Sequence, residues 1–187
     1  MTGEGEGAAR AGRGFTVWLT GLPGAGKTTV GDLLAAALAE RGLLVERLDG
    51  DLVRRHLSQE LGWSAHDRDL NVHRIGWVAS RLTRAGAAVV ASVISPHAAG
   101  RAEVRALVEE WGSFVEVHVD APVEECERRD VKGHYARARR GEITDFTGVS
   151  APYEPPAAPE VRLRTAEEPP EASARRVLDA LAERGLS

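Results

Sequence analysis

The nine residues "GLPGAGKTT", Gly21 to Thr29, constrain this chain more than any other stretch. They fit the spacing G-x-x-x-x-G-K-T, with Gly21, Gly26, Lys27 and Thr28 in the fixed places. Before them runs "FTVWLT", whose β-branched and aromatic residues suit a buried strand; after them Leu33, Leu34, Ala37 and Leu38 recur at helical spacing. A strand, a glycine-rich turn and a helix in that order aim backbone N–H groups and the positive end of the helix, about half an elementary charge, at one spot. Such a spot takes phosphate. Pro23 cannot donate, so the cradle falls to Gly24, Ala25, Gly26, Lys27, Thr28 and Thr29. Lys27 is expected to reach the β- and γ-phosphates of a nucleotide, and Thr28 to ligate Mg²⁺ through its hydroxyl.

The remainder alternates strand and helix signals. "LLVERLDGD" reads as a second strand, followed by polar helical sequence to about Leu57, and then by a helix carrying Val72, Ile75, Val78, Ala79 and Leu82 on one stripe. "AAVVASVIS" reads as a strand, 101–111 as a helix, 114–120 as a strand and "VEECERRD" as another helix start. "VRLRT" fits a last short strand and 170–185 a closing helix. That order is the pattern of a parallel sheet with helical crossovers. With 187 residues the chain has room for one domain and a substantial core. Residues 1–13 read as a disordered tail without the apolar centre of a signal peptide, 14–187 as the domain, and about 130–158, rich in Gly, Pro and basic residues, as a flap.

Net charge is −4, with basic residues interspersed among acids, which argues against a nucleic-acid surface; no apolar run reaches membrane-spanning length. Cys126 stands alone, which excludes an internal disulfide and suits a reducing, cytoplasmic setting. It is expected to be a buried small apolar residue, and the six histidines show no metal-ligand spacing.

Three constellations add chemistry. Asp49 and Asp51 fall at the carboxyl end of strand two, where open α/β sheets hold ligands; one can hold Mg²⁺ while the other orients or deprotonates an attacking hydroxyl. Asp120, after "FVEVHV", is either a further metal-side acid or a helix cap. "RRHLSQELGWSAHDRDLNVHR" combines Arg54, Arg68 and Arg74 with Asn71 and Trp63: cations, an amide and an aromatic face for an anionic nucleotide. Ser95 lies at the expected end of strand three. In the flap, Lys132, Arg137, Arg139 and Arg140 precede Phe146 and Thr147; closing such a segment over phosphates excludes water, and a flap aromatic with little core to join can stack on a base.

Together these segments resemble the adenylylsulfate kinase family, from about Gly14 to Thr165. The matching runs are "TVWLTGLPGAGKTT", "LDGD..R", "DRD.NV.RIG", "ISP", "FVEVHVDAP.E.CE.RD" and, most specific, "KGHYARARRGEITDFTGVSAPYEPP". The resemblance implies a P-loop NTPase fold, nucleotide-kinase-like, a three-layer α/β sandwich with about five parallel strands. It implies transfer of the γ-phosphate of MgATP to the 3′-hydroxyl of adenosine 5′-phosphosulfate in sulfate assimilation. Lys27, Asp51 and Ser95 match catalytic positions, with Thr28 and Asp49 on the metal. Asp51, Arg54, Trp63, Arg68, Asn71, Ile94, Ser95, Lys132, Phe146 and Thr147 match acceptor-contacting positions. Trp63 and Phe146 would sandwich the adenine. The resemblance leaves room for a homodimer and for a functional link to an ATP sulfurylase.

The chain also departs from the family pattern. Leu70 stands where an acid is usual, Val93 for Phe, His97 for Tyr, His134 for Leu and Ala136 for Lys, and Arg101 is the nearest candidate for a displaced arginine. Leu70, Val93 and His97 leave a rival reading, a related kinase acting on another nucleotide-like acceptor; a second rival is a non-catalytic nucleotide-binding regulator, against which the retained Lys27, Thr28, Asp49 and Asp51 argue.

Overall fold

The computed structural model describes residues 14–187; the stretch read as a tail lies outside the described residues. β1 (Phe15–Thr20) leads through the glycine-rich turn into α1 (Lys27–Glu40), and β2 (Val45–Asp49) runs directly into α2 (Gly50–Leu57). α3 (Ala65–Arg84), β3 (Ala88–Ser92) and α4 (Ala98–Glu109) follow, then β4 (Ser113–Asp120), α5 (Val123–Arg129), α6 (His134–Arg139), β5 (Val161–Arg164) and α7 (Pro170–Glu183). The strands form one sheet in the order β2-β3-β1-β4-β5, parallel throughout. This is the expected three-layer α/β architecture with five strands.

β1 sits at the centre, and every one of its residues is buried. Strand alternation divides its side chains between two cores. Phe15, Val17 and Leu19 pack with Val30, Leu34 and Leu38 of α1 and Val177 and Leu181 of α7. Trp18 faces the other way, with Val72 and Ile75 of α3 and Val104 and Val108 of α4. On that second face α3 and α4 approach closely because Gly76 has no side chain; a Cβ there would collide with Val104. The edge strands expose charge: Glu46 and Arg47 on β2, Arg162 and Arg164 on β5. Charged edges discourage further strand pairing. No helix among the described residues is long and apolar enough to cross a membrane.

Three boundaries differ from the sequence expectation. β3 stops at Ser92, because Ile94 and Ser95 leave the ladder and Ser95 turns to φ 40°. α4 begins at Ala98, directly behind Pro96 and His97. The flap carries a helix of its own, α6, which buries Tyr135 and Ala138 on one face; two buried positions are too few to show as a periodic pattern.

Candidate active site

The glycine-rich turn is shaped by positions that a side chain would obstruct. Gly21 has φ 154° and its Cβ would run into the carbonyl of Val119, while Gly26 caps α1 at φ 104° in the left-handed region. The turn is braced from outside. Tyr135 Oη donates to the Pro23 carbonyl at 2.9 Å, and Thr165 Oγ1 to that of Ala25 at 2.6 Å. Arg129 reaches the Gly24 and Ala25 carbonyls at 3.4 and 3.3 Å and the Thr165 carbonyl at 2.6 Å. Arg129 and Thr165 were not legible as site residues: an arginine in "ECERRD" looks like any surface cation. Cys126 is buried, as expected, with its backbone against Gly24.

Lys27 is buried and folds back on the turn, Nζ donating to the carbonyls of Gly21 at 2.9 Å and Leu22 at 2.8 Å. Burial lowers its pKa to about 8, a shift that the nearby Asp51 and Asp49 carboxylates partly oppose. Thr28 and Thr29 stay exposed beside it. Thr28 Oγ1 donates to Asp49 Oδ2 at 3.0 Å, so a hydroxyl from the α1 start and a carboxylate from the end of β2 meet. Both are hard oxygen donors of the kind Mg²⁺ takes, and they fit it. Among the described residues no three His, Cys, Asp or Glu side chains gather in one group.

The other oxygen of Asp49 accepts from the backbone N–H groups of Asp51 and Leu52 at 3.0 and 3.3 Å, capping α2. That cap fixes Asp51 in the first helical turn, half exposed, where it pairs with Lys132 of the flap. Asp120 neither caps a helix nor meets Thr28. It accepts both Nε and Nη2 of Arg162, at 3.0 and 2.7 Å.

Beyond Asp51 lies a cluster of cations. Arg54 sits in the field of Asp51, Asp67 and Arg68, donates to the Leu61 and Gly62 carbonyls at 2.8 Å each, and lies 4.2 Å from the ring centre of the exposed Trp63. Arg68 donates to the Asp145 carbonyl, but its buried Nε has no partner among the described residues, and neither has the buried Oδ1 of Asn71. Trp111 Nε1, away from the site, is likewise unpartnered among the described residues; Arg68 Nε and Asn71 Oδ1 differ in lying close together on α3, a donor and an acceptor free to pair with a polar group from outside the chain. Arg74 is different: it closes the turn between α2 and α3 on Leu57 and Glu60, and the sequence reading that grouped it with the nucleotide cations does not hold.

Ser95 lies deeper than its strand-end position implied. It is 1% exposed, and its hydroxyl accepts from Trp18 Nε1 at 3.0 Å and bonds Thr20 at 2.9 Å. Thr20 in turn donates to the Ile94 carbonyl at 2.7 Å. Arg101, also buried, donates to the Ser95 carbonyl at 2.8 Å, to the Glu154 carbonyl at 2.7 Å and to Glu116 at 2.9 Å, tying the end of the flap to this loop. Ser95 (φ 40°) and Asp145 (φ 55°) are non-glycines held in the left-handed region; Asp145 accepts from Arg68, and Ser95 lies two residues before His97, which reaches Asp69 on α3. Strain of this kind clusters at ligand sites.

In the flap, only Lys132 among the named cations reaches the site. Arg139 pairs with Glu127, and Arg137 and Arg140 with Glu142. Phe146 is half-buried and has partners, the ring of Tyr135 at 5.0 Å and that of His134 at 6.2 Å, both edge-on. Thr147 is buried beside it. Of the departures, Val93 is buried in the core under α3 and α4, close to Gly50 at the start of α2.

Residues 13–164 match the family model described as adenylylsulphate kinase. A curated adenylyl-sulfate kinase of Synechococcus sp. (strain JA-3-3Ab) is 60% identical over 156 residues, 83% of this chain and 87% of its own length. One from Halothermothrix orenii is 50% identical over 173 residues, covering 92% of each. The Mycobacterium tuberculosis APS kinase CysC, solved in complex with AMPPNP and APS, superposes with a TM-score of 0.88 at 43% identity, over 91% of this chain and 98% of that one.

Proposed function

This chain belongs to the adenylylsulphate kinase family, and from that premise we propose that it transfers the γ-phosphate of ATP to the 3′-hydroxyl of adenosine 5′-phosphosulfate. The 3′-oxygen forms a bond to the γ-phosphorus, the bond from that phosphorus to the β,γ-bridging oxygen breaks, and ADP leaves with the electron pair. The hydroxyl proton passes to a carboxylate oxygen of Asp51. The product is 3′-phosphoadenosine 5′-phosphosulfate.

The observation that carries this reading is the pair of buried, unpartnered atoms, Arg68 Nε and Asn71 Oδ1, in a cluster continuous with Asp51 and Lys27. A donor and an acceptor held out of water suit a polar anionic nucleotide. Arg54 and Arg68 offer charge to its phosphosulfate, and the exposed face of Trp63 and the ring of Phe146 offer stacking to its base, about 1–3 kcal/mol each. The turn residues Gly24, Ala25, Gly26, Thr28 and Thr29 hold the triphosphate, and Lys27 leaves the Gly21 and Leu22 carbonyls for its β- and γ-oxygens. Thr28 and Asp49 would hold Mg²⁺, which when bound draws charge from the phosphates. Lys132 exchanges Asp51 for the transferring group. Ser95 acts through position: its buried hydroxyl fixes the loop that presents Ile94, and no phosphate need pass through it. A cytoplasmic setting completes the reading, consistent with the buried free thiol of Cys126.

Release of ADP from ATP by the purified chain, measured with and without adenylylsulfate and with the product's phosphate located by NMR, tests this. Adenylylsulfate-dependent release with phosphate on the 3′-oxygen supports it. ATP binding without any turnover would return the chain to a regulator's role.

A further inference from the structure

Two segments bordering the acceptor pocket are joined by a side-chain contact outside it. His97 Nδ1 lies 2.7 Å from Asp69 Oδ1. His97 follows Ile94 and Ser95 on the loop that leaves β3, while Asp69 stands between Arg68 and Asn71 on α3. The ring is only 19% exposed and Asp69 46%, so the contact is partly withdrawn from water.

The first turns of α3 have few other ties to the sheet, since Arg68 reaches the flap at the Asp145 carbonyl and Arg74 the turn after α2. Residues 64–66 are exposed and 67–70 half-buried, and the first buried positions are Asn71 and Val72. Further along, the helix is locked against α4 at Gly76 and Val104. Its beginning has a Ser64 cap, which donates nothing to the body of the sheet. The imidazole has no competing duty: His97 occupies the N-cap position of α4 without a side-chain cap bond, and the Ala98 N–H is taken by Glu154 Oε2 at 2.7 Å. The carboxylate lies against the first turn of α4, where a Cβ built on Gly100 would stand 3.8 Å from Asp69 Oδ1.

We propose that the His97–Asp69 pair is a positioning device for the acceptor: it holds the start of α3 against the Ile94–Ser95 loop, so that Arg68 and Asn71 face the ligand. Neither residue touches the acceptor, and the proposal rests on the kinase reading given above. The effect is confined to one substrate, because the ATP cradle on α1 is built from other elements and braced by Arg129, Thr165 and Tyr135.

The test is steady-state kinetics on the full chain, with KM for adenylylsulfate and for MgATP determined separately, alongside thermal midpoints. The variants are His97→Ala, Asp69→Ala, the double variant, and His97→Asn, whose amide nitrogen can stand near the place of Nδ1. Each alanine variant is expected to raise the acceptor KM about tenfold, the size of one lost hydrogen bond to a charged group, with KM for MgATP within about twofold. The double variant should be no worse than either single one, and His97→Asn should recover most of the loss. Equal rises in both KM values, an additive double variant, or a lowered midpoint with unchanged acceptor KM overturns the positioning role. Wild-type turnover separates the two claims. Without it the kinase reading fails and takes this proposal with it; with it, kinetically silent variants sink the proposal alone.

Discussion

Lys132 of the flap is paired with Asp51 at the start of α2, so the one flap cation that reaches the site rests on the carboxylate assigned to take the proton. Both side chains are at least half exposed, and an exposed pair of this kind is worth about 0–1 kcal/mol. The contact therefore opens readily when phosphate competes for the ammonium. Lys132→Gln should melt within about 4 °C of the wild type while kcat/KM falls by at least about tenfold. A large drop in melting temperature with normal turnover would make the pair a structural strut.

The proposed contact of Lys27 with phosphate would link pH to nucleotide binding. Burial holds its folded pKa at about 8, below the ordinary 10.5. The cost of burying the charge is fully present below about pH 8; between that value and the ordinary one the unfolded chain binds more protons, so ligand-free stability gains as pH rises. Nucleotide affinity moves the other way. Phosphate needs the ammonium form, so ATP binding above pH 8 takes up a proton, and its Kd should rise by up to about tenfold per pH unit. Calorimetric titrations at pH 7 and 9 in buffers of different ionisation enthalpy measure both the Kd and the proton uptake. A flat Kd across that range contradicts the assignment.

Removing the ammonium altogether is a separate test. Lys27→Ala should lower kcat by about 10²–10³, the size seen when one preorganised charge-stabilising contact is lost. Single-turnover rates on the folded variant check it, and near-normal chemistry would refute the role.

Ser95→Ala removes the acceptor for the Trp18 indole N–H inside the protein. A buried donor left unpaired costs about 1–3 kcal/mol, which lowers the melting temperature by several degrees. Turnover should persist, within about tenfold of the wild type, under the proposed role of the hydroxyl in loop position rather than at phosphorus. Complete loss of activity with unchanged melting would restore Ser95 to a direct chemical part.

Phe146→Ala should act on both properties. The ring packs edge-on against Tyr135 and His134, so its loss lowers stability as well as acceptor affinity. The expected signature is a melting decrease of a few degrees together with a rise in the acceptor KM of about tenfold or more. A melting change alone removes Phe146 from the acceptor site.

What could be read from the sequence was what is local. Strand, turn and helix around Gly21 to Thr29 sit within a few residues of one another, and the alternation of strands and helices states the parallel sheet. Asp49 and Asp51 follow from their place at the end of β2. The rest depends on residues distant in the chain. Ser95 looks like an exposed strand-end serine until Trp18, 77 residues earlier, closes over it. His97 and Asp69 are 28 residues apart, each unremarkable in its own segment. Phe146 seemed to have little core to join because Tyr135, its neighbour in space, lies on a six-residue helix too short to show a period. Arg74 and the flap arginines were indistinguishable from ligand-binding cations until their carboxylate and carbonyl partners were in view.

Acceptor choice rests on a mixed pocket: Leu70 and His97 depart from the family pattern beside the segments assigned to it, while Arg54, Arg68 and Asn71 are retained. A site built to pair a polar group can reject an analogue lacking that group by about 10⁴-fold, whereas an apolar change in a pocket is worth about 10–200-fold. The most direct measurement is kcat/KM for adenylylsulfate, AMP and cytidine nucleotides, side by side, at fixed MgATP. Adenylylsulfate should come far ahead of AMP, with the cytidine nucleotides behind both. Any of the others equalling or beating adenylylsulfate would contradict that order and assign this chain a different nucleotide acceptor.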